Sequence, residues 1–210
     1  MKRLLIAAVA AAFVLSLAGS LLADDFAPPA WRGSDGSTSQ AWEFLSDAAQ
    51  DVVPDVYSNP YGEPSADIVP APATGWLDWY AGRDGVWPLS GSIEATIQNL
   101  DEENPYKDIY IQLTWAQTAC PSTPFVWEVR FDKDATLVSQ VQVPGTEWYH
   151  SIYTIRLEPN PDWEIVKIQG DIYVDEVVID TRCVVPEPTG LLVLLGGVGS
   201  LTGMFLRRRK

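Results

Sequence analysis

Few residues in this chain are placed to do chemistry. His150 is the sole histidine, so zinc sites of ordinary composition and histidine-dependent triads have little to build on. Beside Trp148, Tyr149 and Ser151 it reads as a structural residue of a strand. No G-x-S-x-G, P-loop, G-x-G-x-x-G or C-x-x-C pattern occurs. A glycosidase needs only two suitably spaced carboxylates. The 28 acidic residues leave that chemistry open without nominating a pair. Asp101-Glu102-Glu103 and Asp132-Lys133-Asp134 offer oxygens to a structural calcium, yet neither has the spaced ligands and central glycine of an EF-hand loop. The expectation is a noncatalytic protein that carries no cofactor.

Binding chemistry is better represented. Trp76, Trp79, Tyr80 and Trp87 gather around Gly75 to Pro88, with Tyr57 and Tyr61 upstream. Exposed indole and phenol rings suit the apolar faces of sugars, so these four are candidate glycan-binding residues; the competing reading makes them core. Cys120 and Cys183 are the two cysteines. In an exported protein a pair of cysteines is most simply one disulfide, with two free thiols as the alternative.

The elements that position these groups read as strands. Period-two alternation places Ile109, Ile111, Leu113 and Trp115 on one face of Lys107 to Gln117. It likewise aligns Phe125, Trp127, Val129 and Phe131, then Ile93, Ala95 and Ile97, then Tyr149, Ser151, Tyr153, Ile155 and Leu157. Trp163 to Gln169 and Asp171 to Arg182 complete the series. Asn59-Pro60, Asn104-Pro105, Asn160-Pro161, Ser90-Gly91 and Pro144-Gly145 supply the turns. The Pro-rich stretch Val53 to Thr74 reads as an irregular loop, and Trp42 to Val53 holds at most a short helix. Strands at this spacing, without helices between them, predict an all-β, two-sheet antiparallel sandwich of jelly-roll type over 24–184. Some 160 residues bury roughly 70% of their unfolded surface, enough for an independent core.

Charge and the two ends set the compartment. All acids but Glu187 lie between Asp24 and Val185, whereas Lys2, Arg3 and Arg207 to Lys210 lie outside, so the body is even more acidic than the chain's net −14. Such a surface argues against nucleic acid and against direct adsorption to anionic lipid. Residues 1–23 read as a signal peptide: Lys2 and Arg3, an apolar run, and small residues before cleavage after Ala18 or Ala23. The last residues run VPEPTGLLVLLGGVGSLTGMFLRRRK from Val185. Pro186-Glu187-Pro188 is stiff and extended. Residues 189–206 are uncharged and just long enough for a membrane helix. Arg207, Arg208, Arg209 and Lys210 form a stop that stays cytoplasmic.

This order of Pro-Glu-Pro, apolar helix and arginine cluster resembles the PEP-CTERM sorting domain of Gram-negative bacteria, a substrate of the membrane transpeptidase exosortase. The resemblance covers 185–210. It implies a precursor anchored in the inner membrane, cutting near Pro186, Glu187 and Pro188, and release to the cell surface or extracellular matrix. It also implies company with exopolysaccharide. The segments APPAWRGSDGSTSQAWEF (Ala27 to Phe44) and VVIDTRC (Val177 to Cys183) are similar to secreted proteins of that type. Three functions follow as expectations: a noncatalytic surface or matrix protein, a carbohydrate-binding module, and a secreted glycan-active enzyme.

Overall fold

The computed structural model describes residues 25–70 and 74–184. The signal peptide, Pro186, Glu187, Pro188, the apolar stretch and Arg207, Arg208 and Arg209 lie outside the described residues. Within them the fold is all-β and antiparallel. The strands are β1 (Ser37–Trp42), β2 (Val56–Ser58), β3 (Ser65–Pro70), β4 (Leu77–Tyr80), β5 (Arg83–Gln98) and β6 (Tyr106–Gln117). They continue with β7 (Phe125–Glu128), β8 (Lys133–Asp134), β9 (Thr136–Gln142), β10 (Trp148–Leu157), β11 (Trp163–Gln169) and β12 (Ile172–Val184).

Alternation explains the interior. Ile109, Ile111, Leu113 and Trp115 of β6 are buried, as are Ile93, Ala95 and Ile97 of β5 and Tyr153, Ile155 and Leu157 of β10. Val166 and Ile168 of β11 and Val177 and Ile179 of β12 join the same cluster. Each aliphatic side chain so buried contributes about 1.5–3 kcal/mol.

Two separate sheets do not form. One ladder runs β8-β7-β11-β5-β12-β6-β10-β9, and it curls until β10 approaches β7 and β8. The main sheet is nearly closed and barrel-like, in place of the expected sandwich. The cause lies in two long strands that change partners. Residues 92–98 of β5 pair with β11, whereas its residues 87–89 pair with β12. In β12, 172–174 pair with both β5 and β6, a bulge follows between Val174 and Glu176, and 177–182 pair with β1 in place of β5. Such strands, bent at bulges, carry a sheet round a corner.

Three local expectations also change. The face expected to bury Phe125, Trp127, Val129 and Phe131 points outward, with Phe125 51% and Phe131 45% exposed. The neighbouring strand decides this: Val166 and Ile168 face the core, and they pair with Glu128 and Val126. Glu128 tolerates the interior because its carboxylate accepts hydrogen bonds from the backbone N–H of Phe131 (2.7 Å) and of Ile165 (3.1 Å). The Pro-rich stretch contains β2 and β3. No helix forms between Trp42 and Val53, where Phe44 and Asp51 take positive φ.

The disulfide is not made. Both cysteines are free thiols, Cys120 exposed and Cys183 buried. Cys183 pairs with Lys107 at one end of β6, and Cys120 follows Gln117 at the other. The strand between them spans roughly 30 Å at about 3.3 Å per residue, far beyond the ~7 Å that bridged Cα atoms allow.

Candidate functional site

The four candidate glycan-binding aromatics do not assemble into one platform. Trp87 is core, 3% exposed. Trp76 packs against the core, and its indole N–H donates to the Phe44 carbonyl at 2.7 Å. Tyr80 stacks on Tyr173 with centroids 4.2 Å apart and meets Trp148 edge-on at 6.1 Å. Trp79 alone stands out, 64% exposed. Alternation along β4 separates Trp79 from Tyr80, so the hairpin sends successive rings to opposite faces.

A better-formed concavity lies elsewhere. A groove of about 730 Å³ opens at the end of β6 and β10, lined by Trp31, Tyr110, Phe131, Lys133, Arg156 and Asp108 among others. Its lining includes Asp108 and Tyr110 on the outer face of β6 and Thr154 and Arg156 on that of β10. Arg156, Asp108 and Arg182 occupy one cross-strand row by register. Asp108 accepts from Arg156 Nε at 2.8 Å and from Arg182 at 3.0 Å. Each guanidinium also covers a ring: Arg156 lies 4.0 Å over Tyr106, and Arg182 lies 5.1 Å over Trp31. Asp108, locked between two arginines, is poorly placed for acid–base work. The groove instead offers ring faces, the Arg156 guanidinium and a lysine, the inventory that holds a polar, ring-shaped ligand.

The rest of this outer face is covered by the chain's own N-terminal segment. Ala27 N–H donates to Gln112 Oε1 at 3.0 Å, and Gln112 returns a bond to Asp25 at 2.6 Å. Phe26 stands edge-on to His150 at 5.0 Å. Arg32 pairs with Asp180 through bonds of 2.5 and 2.7 Å. Burial pushes the Asp180 carboxyl up, an effect Arg32 partly offsets. His150 is itself buried, and that burial lowers its pKa. It therefore acts as a packed strand residue.

The reading of the sequence missed one acidic pair. Asp175 and Glu176 sit buried at the β12 bulge. Burial pushes Asp175 up to about 7, although Arg83, 2.7 Å away, opposes the shift. Burial, then the neighbouring Asp175 and Glu43, push Glu176 up to about 8. The signal was present as two acids interrupting the Val/Ile run of the last strand. Among the described residues, which include both acidic loops named for calcium, no cluster of three or more His, Cys, Asp or Glu fit for a metal forms.

No known protein-family model matches the chain, and no curated protein matches it either.

Proposed function

We propose that this chain is a noncatalytic, exported surface or matrix protein. In this reading it is held for a time at the inner membrane by 189–206 and released by exosortase near Pro186-Glu187-Pro188. The observation that carries the reading is the three-part order of the tail, whose basic stop and the basic start of the signal peptide both place the acidic body outside the cytoplasm. The fold is compatible with it: the last ladder pair is Val184 with Tyr106, immediately before the motif. A cut at the motif leaves every ladder pair of the described residues on one side of it. Deleting Arg207 to Lys210 removes the stop, and cell fractionation should then show unprocessed precursor. Normal maturation of that variant would contradict the proposal.

The groove favours a second reading, a module that binds matrix polysaccharide. A glycan array probed with the full chain tests it. Signals abolished by W31A, and insensitive to W79A, would locate binding in the groove. Flat signals across acidic and neutral polysaccharides leave the structural role alone.

A further inference from the structure

At one end of the barrel, three core-facing stripes finish on polar side chains. Asn99 continues the phase of Ile93, Ala95 and Ile97. Lys107 precedes Ile109, Ile111 and Leu113 in phase, and Glu164 precedes Val166 and Ile168. Lys107 and Glu164 are completely buried, and Asn99 is 5% exposed.

Each of the three touches the other two. Lys107 Nζ donates to Asn99 Oδ1 and stands 3.1 Å from Glu164 Oε1. Asn99 Nδ2 donates to Glu164 Oε2 and to the Pro161 carbonyl, the latter at 3.1 Å. Two acceptors on the Nδ2 side fix the amide's orientation, so its carbonyl faces the amine. Glu164 Oε1 lacks an aligned hydrogen bond despite its burial, which leaves it open to hold a proton.

A dry interior disfavours the separated charges of an ammonium–carboxylate pair. Burial pushes the Glu164 carboxyl up, with Lys107 and Asn99 opposing. A proton passed from Nζ to Glu164 leaves a neutral amine, which is a nucleophile, facing the amide, with the carboxylic acid beside the amide nitrogen that has to leave.

We infer that Lys107 and Asn99 join through an intramolecular isopeptide bond, with Glu164 shuttling the protons. The Nζ lone pair forms a bond to Asn99 Cγ, and the carbonyl electron pair moves onto Oδ1. Glu164 gives its proton to Nδ2, which it touches, and takes one back from the attacking nitrogen. The Cγ–Nδ2 bond breaks as the Oδ1 electron pair reforms the carbonyl, ammonia leaves, and Glu164 ends protonated as it began. An amine and a primary amide become a secondary amide and ammonia, with no oxidant, reductant or cofactor. Fixed proximity supplies the drive, and the exclusion of water protects the amide from hydrolysis. The link joins the end of β5 to the start of β6, strands that β12 separates in the sheet. It gives the fold a covalent staple that two distant thiols cannot, and it stands independently of the sorting assignment.

The test is peptide mapping of the full chain, digested with an endoprotease specific for glutamate. Cleavage after Glu102 and Glu103 opens the loop between the two partners. The inference expects one branched species, the Asn99 and Lys107 peptides joined and lighter by one ammonia, stable to denaturant and reductant. E164Q keeps the shape without the acid and should yield separate peptides. Separate peptides bearing unmodified Lys107 and Asn99 from folded wild type would overturn the inference, whether or not the variant folds. A branched species that survives in E164Q would overturn the role of Glu164.

Discussion

Asp175 and Glu176 make stability depend on pH in a direction opposite to that of ordinary salt-bridged carboxylates. Their folded values, about 7 and about 8, lie above the unfolded ones, so between roughly pH 4 and those values the folded state binds more protons. The stabilisation is full below about pH 4 and is lost as pH rises through the folded pKa values. Urea midpoints should therefore fall between pH 5 and pH 8.5, and the double variant D175N/E176Q should flatten that fall. A wild-type midpoint that rises with pH would contradict the assignment. The cysteines give a second outcome at this scale. Reductant should leave thermal unfolding unchanged. Alkylation should label Cys120 in the native protein and Cys183 only after unfolding. No labelled thiol in the denatured and unreduced chain would restore the disulfide.

Among the elements, the strands whose faces are long and regular were the legible ones. β6, β10 and β11 lie within a residue of where alternation places them, because their in-phase apolar side chains, four on β6 and on β10 and two on β11, leave one register that buries them. β7 was misread because its apolar residues occupy both phases, and only β11, remote in sequence, settles which phase points inward. The curl into a near-barrel was not legible, since it depends on where β5 and β12 exchange partners. The same alternation did carry a signal that went unread: Lys107 and Glu164 fall in core phase, where a charge has to find a partner. The four candidate aromatics do not share one face, because successive side chains along a strand point to opposite sides.

The β4–β5 hairpin turns at Ala81 and Gly82, both at positive φ. Asn accepts that conformation more readily than Ala, so A81N should stabilise the protein by up to about 1 kcal/mol. Gly85 is the converse case. Its φ is +74°, and an added Cβ would lie 2.6 Å from the carbonyl oxygens of Glu43 and Phe44. G85A should lower the thermal midpoint by several degrees, roughly the effect of more than 1 kcal/mol. Chemical unfolding of both variants checks the two signs together.

For the whole molecule, the account joins an anionic, sheet-built body to two apolar ends of opposite fate. Among the described residues the ladder extends to Val184, and the N-terminal segment from Asp25 is already packed on the outer face of β6 and β12. A leader ending at Ala23 and a cut near Pro186 would leave that body whole. The most direct measurement is the intact mass of the extracellular form, with both termini sequenced, from cells with and without an active exosortase. The account predicts a product starting near Asp24 and ending before Thr189, and its absence when the enzyme is missing. A full-length chain in the cytosol, or identical mature ends in both strains, would contradict it.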